Sequence, residues 1–167
     1  LKFNIINFID YQFIKTLKNK ENYFIVAFGN CIQRRDTQHK LDELGMNIIS
    51  LIHKKTSISE FSSIGKGSVI CAGAILGPDT SIGIGSIINH SATIDHDSNL
   101  GDFVHICPNS SLAGNVNIGS LTVLGIGSKI IENISIGDQC FIGGGSLIIR
   151  DIPNGKRAFG SPAKILN

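Results

Sequence analysis

Ile94-Asp95-His96-Asp97 sets one of the chain's five histidines between two acids. An imidazole titrates near neutral pH, so it can take up and release a proton under working conditions. A carboxylate beside it can orient the ring and stabilise the imidazolium. The same residues also read as a surface histidine between two solvated acids. His90, which follows Asn89, and His105 lie on either side of this segment. Cys31, Cys71, Cys107 and Cys140 form no C-x-x-C pair, which argues against a zinc site and for plain buried thiols. Gly143-Gly144-Gly145 lacks the ending of a Walker loop. Gly125-Ile126-Gly127 is likewise not a dinucleotide fingerprint.

The element that must position these residues is a repeat. From Ile58 to Pro153 the sequence divides into sixteen six-residue blocks without insertion, and every block opens on Ile or Leu. The second position is often Gly, as at Gly65, Gly101 and Gly137, and the fifth is mostly small, as at Ser68, Ala92 and Ser128. One large side chain per block would fill a narrow interior, with a small one near each corner. The second-position glycines would supply unusual backbone dihedrals where the chain turns. Three blocks make a triangular coil of eighteen residues, so residues eighteen apart stack at about 4.8 Å. Stacked coils bury a continuous core that no single coil could bury alone. Gly114 lies eighteen residues after His96 and should stack against it. Cys71 and Cys107 share a column two coils apart.

Composition agrees with a β architecture. Glycine is abundant, Ile dominates the apolar set, and Trp is absent. A net charge of +2 argues against nucleic acid as a partner. No apolar run reaches the length of a membrane span, and no signal peptide opens the chain. The expectation is a cytoplasmic protein with no membrane partner.

Residues 1–57 read differently from 58–153. Ile5–Ile9 suggests a strand ending at Asp10, Tyr11–Asn19 a short helix, and Tyr23–Phe28 a strand closed by Gly29-Asn30. Ile32–Leu44 suggests an amphipathic helix ended by Gly45, and Asn47–Ile52 a further strand. Strands alternating with helices imply a small parallel α/β unit. Nucleotide-binding units of this kind open with a strand and a Gly-rich loop. None is present and residue 1 is Leu, so the expectation is a truncated, Rossmann-like unit lacking its first strand, turn and helix. Residues 154–167 form a tail, Ala158-Phe159-Gly160-Ser161-Pro162-Ala163-Lys164.

The repeat and this tail resemble the hexapeptide-repeat acyltransferases, which implies a left-handed parallel β-helix. Within them the chain is most similar to the sialic-acid O-acetyltransferases and nucleotide-aminosugar N-acetyltransferases. The resemblance spans nearly the whole chain. It rests on Phe24-Ile25-Val26-Ala27-Phe28-Gly29-Asn30, Leu51-Ile52-His53, Ile94-Asp95-His96-Asp97, Leu112-Ala113-Gly114-Asn115-Val116, the tail, and a coil free of a long loop.

The resemblance implies His96 as general base, Asp97 as its orienting carboxylate with Asp95 as the alternative, and the Gly114 N–H as an oxyanion donor. It implies acetyl-CoA as co-substrate against His105, Ile126 and Gly144, with the tail packed near it. A sugar or nucleotide-sugar acceptor would meet Asp10 and Gly29, with His90 facing it from one block before the base. It also implies a homotrimer, direct transfer without an acetyl-enzyme, and no metal. A β-helical carbonic anhydrase would instead set His90, His96 and His105 on zinc across a subunit interface. An inactive solenoid would do no chemistry. A sialic-acid-like hydroxyl is the other acceptor to weigh against the amine of a UDP-linked aminosugar.

Overall fold

The computed structural model describes residues 10–19 and 21–166. The strand expected at Ile5–Ile9 lies outside them. Helix α1, Tyr11–Thr16, is capped by Asp10, whose Oδ1 accepts from the N–H groups of Gln12 and Phe13 at 2.9 and 3.1 Å. Strand β1, Tyr23–Phe24, leads to helix α2, Cys31–Glu43, and on to strand β2, Asn47–Ile48, which pairs parallel with β1. Asn30 caps the start of α2, and Gly45 takes the left-handed conformation just past its end, at φ +67°.

The run expected as one strand, Asn47–Ile52, divides between two sheets. Its second half, strand β3 at Leu51–Ile52, pairs with Val69–Ile70 rather than with β1. Ile52 precedes Ile58 by one block, so the coil register begins one block earlier than Ile58. Helix α2 also differs from an ordinary amphipathic helix. Ile32 is exposed, and the buried stripe is Cys31, Arg34, Thr37, Gln38 and Leu41, much of it polar.

From β3 onward the chain is a left-handed parallel β-helix with three faces. The first face stacks Leu51–Ile52, Val69–Ile70, Ile87–Ile88, His105–Ile106, Val123–Leu124 and Phe141–Ile142. The second runs from Ser57–Ile58 to Leu147–Ile148, and the third from Ser63–Ile64 to Ser135–Ile136. Paired residues are eighteen apart throughout, as at His105 and Val123. Every block-opening Ile or Leu from Ile70 to Ile148 is buried, and together they form one core column. The tail strand Arg157–Gly160 extends the first face and turns into Ala163–Leu166; Ile152, Ala158 and Ile165 pack onto the same core.

Two devices hold the coils this close, and the first corrects the expectation for glycine. Left-handed residues sit at the fourth position of every block from the one opening on Ile64 to the one opening on Ile142, and nine of them are not glycine, Asp97, Asn115 and Asn133 among them. The second-position glycines have no positive φ. They stand where a Cβ would strike the next coil: at Gly65 it would lie 2.5 Å from the Ile84 nitrogen, and at Gly77 2.9 Å from the His96 nitrogen. Close stacking therefore demands glycine there. The second device is a buried hydroxyl at the fifth position. Ser86 Oγ accepts from Val104 N–H at 3.1 Å, Ser98 Oγ from Val116 N–H at 3.1 Å, and Thr122 Oγ1 from Cys140 N–H at 2.9 Å. Each also donates to a carbonyl of the next coil, as Thr122 does to Gly137 at 2.7 Å. At these corners the buried amide, not small size alone, demands Ser or Thr; one coil after Ala74 and Ala92 the amides of Ala92 and Ser110 bond within their own turn instead, and no hydroxyl is needed.

Replacing Ile106, fully buried in the core column, with Asp should abolish folding. An unpaired carboxylate there would cost several kcal/mol, and the ~1.5–3 kcal/mol of Ile burial would be lost as well. Circular dichroism of an Ile106→Asp variant that stayed β-rich and equally heat-stable would contradict this core assignment. The register also sets the Ile87–Ile88 rung between Cys71 and Cys107. Two inter-strand steps are about 9.6 Å, beyond the ~7 Å reach of a disulfide. Non-reducing peptide mapping should therefore find no bridge between these two thiols.

Candidate active site

His96 occupies the corner between the second and third faces, and the repeat fixes its backbone. Ile94 points into the core, and Ser98 is the buried hydroxyl of the same block. The His96 carbonyl accepts from Asn115 N–H at 2.9 Å and from Ser98 Oγ at 3.3 Å. Its N–H donates to Asp95 Oδ1 at 2.9 Å. Asp97 is the left-handed corner residue, φ +58°, a conformation that Asp tolerates. Its Oδ2 lies 2.7 Å from His96 Nδ1. The two flanking acids thus divide the work: Asp95 holds the histidine backbone and Asp97 holds the ring.

Gly114 follows one coil later. A Cβ on it would lie 2.5 Å from His96 Cε1 and 2.7 Å from Nε2. Its φ is not positive, so it is glycine for space: the imidazole rests against it. Among the described residues its N–H has no protein acceptor. Neutral His96 donates Nδ1–H to Asp97, which leaves the Nε2 lone pair beside Gly114 and open to solvent. The Asp97 hydrogen bond first, and the Asp95 charge next, push the His96 pKa upward.

His105 stands elsewhere, on the first face past the next corner. Its ring is partly buried beneath the N-terminal unit, with Nδ1 3.3 Å from the Gly29 carbonyl and Nε2 3.3 Å from Asn89 Nδ2. Burial first, then the Arg34 charge, depress its pKa. The two histidines are therefore tuned in opposite directions. Ile126 and Gly144 share the corner between the first and second faces; Ile126 is exposed and Gly144 lies directly against it. His90 belongs to the same corner column and lines a cleft of about 300 Å³ with Leu51, Val69 and Cys71. Asp10 caps α1, while Gly29 closes the β1 loop beside a cleft of about 400 Å³ lined by Phe28, Gln33, Asp36 and Thr37. Neither cleft includes His96.

One chain thus brings together His96, Asp97 and Gly114, and separately His105, Gly29 and His90 through Asn89. Among the described residues no group of three His, Cys, Asp or Glu side chains could hold a metal. Sequence reasoning missed Arg34, the buried cation beside Gly29 and His105. Its helix pattern does not distinguish it from the half-buried Arg35.

Solved structures carry the same frame. A histidine-to-alanine mutant of GDP-perosamine N-acetyltransferase from Caulobacter crescentus, in complex with CoA and GDP-perosamine, is 32% identical, with a TM-score of 0.92 over 95% of this chain and 76% of that one. The acetyltransferase domain of PglB from Neisseria gonorrhoeae, in complex with acetyl coenzyme A, is 35% identical, with a TM-score of 0.89 over 92% and 76%. The chain belongs to the hexapeptide-repeat, left-handed β-helix acyltransferases. WeeI from Acinetobacter baumannii, 24% identical with a TM-score of 0.90 over 99% and 82%, shares the fold. No family model and no curated protein sequence matches this acyltransferase.

Asp97→Asn should lower the His96 pKa, because it removes the main group that favours the imidazolium. A histidine NMR titration of the two proteins measures this. A general base works only when neutral, so a role of His96 as base predicts that the acid limb of kcat/KM moves to lower pH in the variant. An unmoved His96 titration would show that the 2.7 Å contact does not govern the ring.

Proposed function

We propose that this acyltransferase moves an acetyl group from acetyl-CoA to the amine of a nucleotide-linked aminosugar, in the building of bacterial surface glycans. The observation that carries the proposal is the exposed His96 ring, tethered by Asp97 and resting on Gly114. The amine attacks the thioester carbonyl while His96 Nε2 takes its proton. The carbonyl oxygen gains negative charge, for which the free Gly114 N–H is the donor. The C–S bond then breaks and CoA leaves as the thiolate, which takes the proton from His96 and returns the base to its neutral form. No acetyl-enzyme forms, and no metal is required. The solved relative with CoA and GDP-perosamine supports both the donor and the acceptor class.

In this reading acetyl-CoA runs along the corner of Ile126 and Gly144 and reaches His105. The acceptor is held from the side of Asp10, Gly29 and His90. His96 stands at a corner and His105 on the first face of one chain, and His96 lines neither of the two clefts. A second copy would supply the missing wall, and closed threefold symmetry would give a homotrimer with three equal sites. Acetyl-CoA as donor also supports a cytoplasmic site for the reaction.

His96→Ala should keep acetyl-CoA binding, measured by calorimetry, and lower turnover roughly 10²–10⁴-fold, as for loss of a general base. Full activity of this variant at neutral pH, with the same aminosugar acceptor, would refute the mechanism.

A further inference from the structure

The N-terminal unit is joined to the coil by a charge. Arg34 is fully buried, and among the described residues no carboxylate pairs with it. Its Nη1 donates to the carbonyls of Phe28 at 2.7 Å and Gly29 at 3.2 Å, within its own unit. Its Nε donates to the Gly85 carbonyl at 2.6 Å, and Nη2 to those of Phe103 at 2.9 Å and Val104 at 3.3 Å, all in the coil. Nη2 also lies 3.5 Å from Cys31 Sγ. A buried cation without a counter-ion is an expensive way to join two surfaces that an apolar side chain could pack. It therefore points to a task beyond packing.

The next group along this network is His105. The Gly29 carbonyl that accepts from Arg34 also faces His105 Nδ1 at 3.3 Å. A carbonyl only accepts, so Nδ1 carries the proton and Nε2 holds the lone pair. Asn89 agrees from the other side. Its Oδ1 accepts from His90 N–H at 2.9 Å and lies 2.8 Å from His90 Nδ1, which turns its Nδ2 donor toward His105 Nε2.

We propose that Arg34 is a positioning residue for His105: by clamping the Gly29 carbonyl and setting a fixed positive charge behind the ring, it holds the imidazole neutral and in its Nδ1–H form. This deepens the proposed function and rests on it for the place of His105 at the transfer site. In that state Nε2 only accepts: its one lone pair meets Asn89 Nδ2 here, and a donor on the reacting groups would take the place of Asn89. The electrostatics point the same way, since burial and then Arg34 push the His105 pKa down against the opposing Gly29 contact. Besides Arg34, the titratable groups that line this joint are Cys31 on α2, Cys107 beside the His105 rung and His90 beyond Asn89, none of them a carboxylate. Of the other charged groups on α2, Asp36, His39, Lys40 and Glu43 are exposed, Arg35 pairs with Asp36, and Asp42 pairs with Lys66 at 2.6 Å.

The test is nitrogen-15 NMR of the histidine-labelled 167-residue chain, as wild type, Arg34→Lys and Arg34→Met. Wild-type His105 should be neutral at pH 7 and protonated on Nδ1. Arg34→Met should raise its pKa and mix the two tautomers. Arg34→Lys keeps the charge and loses the fork, so it should mix the tautomers with little change in pKa. A wild-type His105 protonated on Nε2 overturns the proposal without any variant. So do folded variants that melt earlier while His105 titrates and tautomerises as before, the result of a purely structural arginine. None of these readouts depends on His96 or on turnover, so a failure here is distinct from a failure of the acetyl-transfer mechanism.

Discussion

The constraint on which the rest of this structure depends is that each residue of the coil rests on the residue eighteen places away, one strand spacing distant. At that spacing the backbone of one coil touches the backbone of the next at the corners. Glycine at the second position follows from lack of room. Ser or Thr at the fifth follows from the need to satisfy corner amides that no strand partner reaches. Aliphatic side chains at the first position fill what remains. The third, fourth and sixth positions are the places where the repeat leaves side chains free to face outward, as at His96, Asp97 and Lys129.

The chemistry grows from that freedom. His96 is a third-position residue and Asp97 a fourth-position one, so an ordinary corner sets an imidazole beside a carboxylate without distorting the coil. The same repeat brings Gly114 beneath the ring. His105 sits instead on a strand, under a second layer of protein, and its environment acts in the opposite sense. An exposed histidine beside two acids gains affinity for its proton; a covered one beside an arginine loses it. Two histidines nine residues apart thus differ in their affinity for a proton.

The joint between the two units obeys different rules from the coil. Its apolar cluster of Ile14, Val26, Leu41 and Met46 lies within the N-terminal unit. The coil-facing stripe of α2 is instead largely polar, with Arg34 bonded to carbonyls on both sides. Directional hydrogen bonds fix orientation more narrowly than apolar contact does, because each fails within a fraction of an ångström and a few tens of degrees.

The coil was legible from the sequence because its long-range contacts are arithmetic. A strict period turns position into geometry, so the core column, the stacking of Gly114 on His96 and the separation of Cys71 from Cys107 could all be counted out. The candidate base needed the resemblance as well, since a histidine between two acids is ambiguous by itself. What the tertiary structure alone decided lies where periodicity stops or where two causes share one residue type. Glycine suits both an unusual dihedral and a close approach, and only the φ angles and the neighbouring backbone separated the two. Asn47–Ile52 is one apolar run, but its halves pair with strands from different parts of the chain. Arg34 and Arg35 are neighbours on one helix, yet the first is buried against the coil and the second is not, because the docking of α2 is set by contacts more than fifty residues away.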